Sequence, residues 1–352
     1  MKKSMLRKVF AILLSAVMVL ALCACGSTGE TSGTETKGSA SAEKTVIKLN
    51  TSWGENSSVQ TAALRFGELL SEATDGRFEV KVYPSNQLAS GNQQTAVEMV
   101  QNGDIEMSMF GMTVLSFVDD RLAVVNMPFL IHSTEDADKY IFDTEAESRK
   151  LLDSILEENK MISVAFGEAG FRQITNSKKE IHSPADMSGL KFRVLGTCPM
   201  FFDLYTELGA NPTSINMSDV FTSLQQGVVD GQENAVDTTR SYKLEEVQEY
   251  LTCWNGVYDA VSFQASPVFW GKLSAEDQAT IKACAEQAMA EQVTSVRASE
   301  ADILKEFEAA GMTVTVLTDE EVAAFKEAVT PVFEKWTPAI GEDLLKAFGY
   351  EG

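Results

Sequence analysis

The stretch GLKFRVLG at 189–196 sets an arginine inside a strand pattern. Alternation sends Phe192 and Val194 to one face and Lys191, Arg193 and Leu195 to the other. A guanidinium among apolar neighbours is costly to bury unless an anion meets it. That anion is either a carboxylate of the protein or one brought from outside, and the strand alone leaves both open. A second group with chemical potential is VVDGQEN, where Asp230 and Glu233 offer a metal or acid–base pair. The motif gives neither a defined carboxylate separation nor a reason for shifted pKa values, both of which such a pair needs. The two histidines, His132 and His182, stand beside serines at helix starts (HSTED, HSPAD) and read as loop residues. No nucleophile elbow, Cys-x-x-Cys, His-Glu-x-x-His or phosphate loop is present. The chemistry on offer is therefore recognition of an anion rather than catalysis.

The elements that must carry these residues are of alternating type. TVIKLN reads as a strand. A helix follows, capped by Asn56, Ser57 or Ser58, with Ala62, Phe66, Leu69, Leu70 and Ala73 on its apolar face and Gly76 at its end. RFEVKVY is a strand, TAVEMVQNG ends a second helix, and IEMSMF is a third strand, which makes a β-α-β-α-β unit. The pattern restarts with MISVAF and FRQIT as separate strands, then GLKFRVL, a helix around MFFDLYTELGA, a short helix capped by Ser218, and the strand VSFQAS. From Ser274 to Ala310 there is neither proline nor glycine. As one helix this segment is roughly 55 Å long, more than a small domain needs, so it is expected to brace two. Thr318 and Glu321 form a capping box for a later helix.

The N-terminus gives an address. Lys2, Lys3, Arg7 and Lys8 precede an apolar run, Val9 to Leu22, too short to span a membrane. The run ends in LCAC, so residues 1–24 read as a lipoprotein signal peptide and Cys25 as the lipidated first residue, holding the protein to the outer face of the cell membrane or in the periplasm. Residues 25–44 lack large apolar side chains and read as a flexible tether. The formal net charge is −22, which argues against nucleic acid as a partner. Cys198, Cys253 and Cys284 remain in the body, an odd number that permits one disulfide at most. A soluble body of about 300 residues with two α/β lobes and no visible catalytic machinery points to a binding protein that closes on its ligand.

With these residues laid out, the chain resembles the solute-binding proteins of tripartite ATP-independent (TRAP) transporters, of the dicarboxylate-binding type. VYPSNQLASGNQ, NMPFLI, GFRQITNS, GLKFRV and above all LGANPTSINMSDVFTSLQQGVVDGQENAV with YKLEEVQEYLT carry the resemblance, which runs from about Val46 to Phe348. It implies an α/β, two-lobed periplasmic-binding architecture with crossing hinge strands (near 168–171 and 257–262) and a long helix over both lobes. Lobe I is expected at 45–169 plus about 260–298, and lobe II at 170–259 plus about 299–352. The resemblance also implies a small organic acid as ligand, held by a carboxylate salt bridge to Arg193, with Arg172 nearby, Asn234 reaching the ligand and Met217 packing on it. It further implies delivery to TRAP membrane permease subunits, with no cofactor or metal; the receptor is expected to be monomeric. The planar guanidinium fork suits a carboxylate bidentately, which agrees with Arg193 in that role.

Departures from the family pattern bear on the ligand. Leu195 stands where proline is common, and Ser57-Ser58 where His-Pro is common, although Trp53 and Glu55 lie where a wall of the site is expected. Sialate-binding members carry an acid and an arginine where Gly111 and Val114 stand here, so sialic acid is not expected. A dicarboxylate, a 2-oxo or hydroxy acid, or an aromatic acid flanked by Trp53, Phe110, Phe166 or Trp254 remain open. Arg172, Lys178, Lys179, Lys191 and Arg193 suggest a positive cleft in an acidic shell. The alternatives are a binding protein for an ABC importer or a sensor, and a secreted hydrolase using Asp230 and Glu233.

Overall fold

The computed structural model describes residues 44–351. The signal peptide, Cys25 and nearly all of the tether lie outside them. Nine strands form one mixed sheet. They are β1 Thr45–Thr51, β2 Phe78–Tyr83, β3 Met107–Gly111, β4 Ile162–Asn176, β5 Lys191–Val194, β6 Asn211–Ser214, β7 Gly231–Ala235, β8 Tyr250–Ala265 and β9 Thr313–Val316. The helices that matter to the site are α1 Ser58–Ala73, α2 Gln93–Asn102, α3 Pro199–Glu207, α4 Met217–Gln225, α5 Ala275–Ala309 and α6 Asp319–Ala328.

The sheet order is β2-β1-β3-β8-β4-β7-β5-β6, with β9 beside β8. At one end β2, β1 and β3 run parallel, as the β-α-β-α-β reading requires. At the other end β7, β5 and β6 are parallel. Between them β4 and β8 pair antiparallel along most of their lengths. MISVAF and FRQIT are thus a single strand of 15 residues rather than two. VSFQAS is likewise only the end of a strand of 16 residues. Glycines misled the reading: a glycine inside a strand suggests a break, but it equally marks a bulge or a close approach. Both occur here. The register shifts between Glu168 and Gly170, where Gly170 takes φ +99°. A Cβ on Gly167 would stand 2.7 Å from the Gln292 side-chain oxygen of α5.

The helix starts follow the sequence closely, with one exception. Ser57 caps α1 by accepting from the Gln60 amide, and Thr318 and Glu321 form the capping box of α6. α4 begins at Met217 with Asn216 as its cap, so Ser218 lies inside the helix and does not cap it. On α1, Ala62, Phe66 and Leu70 are buried, Leu69 half-buried and Ala73 exposed.

The unbroken helix is real: α5 has 35 residues, roughly 52 Å at 1.5 Å each. Its first half places Ile281, Cys284, Ala285, Ala288 and Met289 in a core with β1, β3 and α1. Its last turns place Ile303 and Phe307 in a separate core with Leu251 and Cys253 of β8. One rigid element therefore anchors two cores. Cys198, Cys253 and Cys284 are buried and unpaired.

Candidate functional site

Arg193 is held by β5 in the way its alternation predicts. Phe192 and Val194 are fully buried in the main core, and Phe192 packs against Tyr205 of α3. β5 can lie close to β7 because Gly231 has no side chain; a Cβ there would meet the Phe192 ring of β5 at 3.1 Å. Arg193 is 1% exposed. Its Nε donates to the Ile215 carbonyl at 2.9 Å. Its Nη1 and Nη2 are buried and have no hydrogen-bond partner among the described residues. Burial without a counter-charge in contact pushes its pKa down to about 10, against partial support from Glu233. The group thus stays charged at neutral pH, with its fork open toward a cavity.

About 380 Å³ of atom-free space lies in and around that cavity, open solvent at its mouth included. Its lining includes Arg193, Arg172, Asn234, Met217, Trp53 and Gly111, so the fold brings all six sequence-predicted positions together. Val114 and Leu195 line it as well.

Arg172 is differently placed. Its Nε and one Nη grip the Glu233 carboxylate, that Nη also reaching the Asn234 side-chain oxygen at 2.9 Å. The other Nη donates to Asp259 at 3.0 Å. Although burial opposes its charge, Glu233 and Asp259 hold the pKa above the ordinary arginine value. Arg172 lines the cavity with every nitrogen already bonded to an acceptor of the protein. It fixes the Asn234 amide: the oxygen faces Arg172, which leaves Nδ2 as the donor, now near Gln232 Oε1 at 2.5 Å and Met217 Sδ at 4.0 Å.

Two details explain the walls. Gly111 is required because a Cβ there would come within 2.8 Å of an Asp259 oxygen. Trp53 donates from Nε1 to Thr238 Oγ1 at 3.1 Å, which ties the loop after β1 to residues following β7. Glu55 is exposed and absent from the lining, and Phe110, Phe166 and Trp254 belong to the core. Of the four aromatics proposed for an aromatic acid, Trp53 alone lines the cavity. The basic cluster is likewise dispersed: Lys178, Lys179 and Lys191 are exposed, and Lys178 pairs with Asp230 at 3.4 Å.

The acid–base alternative loses both of its groups to structure. Asp230 accepts the Lys191 amide at 2.9 Å, and Glu233 is bound by Arg172. The sequence reading missed Ser52, Gln93, Thr113, Thr238, Tyr242 and Asp259, which complete the lining. A signal existed for one of them. Asp259 in VYDAV is a lone charge in an apolar strand, the same anomaly that drew attention to Arg193. Small hydroxyl residues carry no such mark.

Residues 49–338 match the family described as bacterial extracellular solute-binding protein, family 7. The chain belongs to this family. The 2,3-diketo-L-gulonate-binding periplasmic protein of Escherichia coli is 31% identical over 297 residues, 83% of this chain and 88% of that protein. A TRAP periplasmic solute-binding protein from Ralstonia eutropha, solved with bound (S)-2-acetolactate, matches with a TM-score of 0.82 at 31% identity, covering 86% of this chain and 98% of that one. Another, from Sulfurospirillum deleyianum with bound succinate, matches at 0.81 and 25% identity, covering 88% and 100%. The fold is the two-lobed periplasmic-binding architecture of these receptors.

Proposed function

We propose that this protein captures a small organic acid in the cleft, its carboxylate set bidentately on Arg193, and delivers it to a TRAP-type membrane permease. The observation that carries the reading is the buried Arg193 fork, with Nη1 and Nη2 unpartnered in a cavity. A buried cation is retained at a cost when an incoming anion completes it. Asn234 adds a donor, and Trp53 and Met217 supply apolar contact. Hydrogen bonds to charged groups contribute about 1.5–3 kcal/mol each, and micromolar affinity needs about 8 kcal/mol, so this set supplies most of it. Membrane attachment through lipid on Cys25, two lobes with the boundaries expected above, and a hinge in β4 and β8 belong to the same proposal. The bulge at Glu168–Gly170 supports that position for the hinge.

A thermal-shift screen against small carboxylates tests it. A ligand at 100 times its Kd should stabilise the protein by about 2.7 kcal/mol. Arg193→Ala should remove that shift and leave the fold intact. An equal shift in the variant would sink the assignment of Arg193 as anchor.

A further inference from the structure

The charges and hydroxyls of the cavity narrow the class of acid, given the reading of Arg193 as its anchor. Three charged side chains line the cavity: Arg172, Arg193 and Asp259. Arg172 is engaged by Glu233 and Asp259, so Arg193 is the one lining cation without a carboxylate partner among the described residues. Asp259 itself is fully bonded: Arg172, the Thr113 amide and hydroxyl, and Asn126 Nδ2 all donate to it. It offers nothing to a second anion but repulsion.

The remaining polar wall is neutral. Thr238 Oγ1 accepts from Trp53 and keeps its hydroxyl hydrogen to donate. The Tyr242 hydroxyl donates to the Ser52 carbonyl at 3.0 Å and keeps lone pairs to accept. The buried Gln93 amide, at the start of α2, supplies both kinds of group. These partners suit hydroxyl or carbonyl oxygens. A second carboxylate among them would be a buried charge without a counter-ion. A bare alkyl chain would leave them desolvated and unpaired.

We infer that the ligand is a small monocarboxylate bearing hydroxyl groups beyond its carboxyl end, rather than a dicarboxylate or an alkyl acid. Calorimetry with chain-length-matched acids separates the classes: erythronate, succinate, L-malate and butyrate at four carbons; gluconate, adipate and hexanoate at six. The hydroxylated monoacid of at least one length should bind at least about tenfold more tightly than the dicarboxylates and the alkyl acid of that length, the effect of one unpaired buried group. A dicarboxylate or alkyl acid that matches or exceeds it at both lengths overturns this inference and leaves the carboxylate anchor standing. Absence of binding by every acid, in the wild type as in Arg193→Ala, overturns the receptor reading too.

Discussion

Arg172 and Arg193 are both buried arginines on sheet strands, yet they carry opposite energetic signs. Arg193 has no counter-ion in contact, and burial lowers the pKa of this base, so its charge costs stability at all pH values below about 10 and is relieved only as pH rises through that value. Replacing it by methionine of similar length should therefore leave the ligand-free protein equally stable or more stable, by up to about 4 kcal/mol. Urea denaturation would read this as a raised midpoint with an unchanged slope. Arg172→Met should do the reverse. It strands Glu233 and Asp259, which are 0% and 1% exposed, and should cost about 3–5 kcal/mol in the same assay. Gly111→Ala should weaken ligand binding, because its Cβ pushes the Asp259 carboxylate off the Arg172–Thr113 network; calorimetry would detect it. The sequence made Arg193 conspicuous because a charge broke an apolar alternation. It did not reveal the role of Arg172, whose partners lie 61 and 87 positions away in the chain. Local pattern marks an anomaly; only the sheet register says what answers it.

The elements were legible where their signals are local and lost where the context is tertiary. The cap at Thr318 and the uninterrupted α5 could be read directly, and the cap of α1 to within three adjacent residues, since such signals are local. The length of β4 could not, because its glycines serve a bulge and a helix contact made by residues far away. Gln292 of α5 makes that contact. Its oxygen accepts from the Glu168 amide at 3.0 Å, and its nitrogen donates to the Glu168 carbonyl at 2.7 Å and to Ser58 Oγ at 3.0 Å. A single amide thus joins the long helix to the irregular point of β4 and to the start of α1. Gln292→Ala should loosen this junction: hydrogen exchange at the Glu168 amide should accelerate markedly, while the amides at the centre of α5 stay protected. Unchanged exchange at Glu168 would show that the bulge is held by the sheet alone.

For the whole molecule, the proposed lobes would make the contacts across the cleft those of a closed form. Tyr242 reaches the Ser52 carbonyl, Trp53 reaches Thr238, and the Ser58 amide donates to Asp237 at 2.9 Å. A ligand favours this form by its differential affinity for it. The chain is strongly acidic, with a net charge of −22, and the exposed Lys178, Lys179 and Lys191 lie outside the cavity. Charges beyond about 8 Å are largely screened at physiological salt, so capture of an anion rests on short-range contact with Arg193. Stopped-flow association rates should accordingly change little as salt is raised above the physiological level; a steep fall would point to long-range steering instead. The two-lobed plan was readable from alternating strand and helix patterns and from the length of α5, and six positions of the cavity from the family resemblance, whereas its neutral wall of Ser52, Gln93, Thr113, Thr238 and Tyr242 carried no mark in the sequence. The most direct test is a crystal structure with the tightest-binding acid in the cleft. The ligand carboxylate should lie within about 3 Å of both Arg193 Nη atoms, the distance of a charge-assisted pair. A carboxylate bound elsewhere, with the Arg193 fork still unpartnered, would contradict the account.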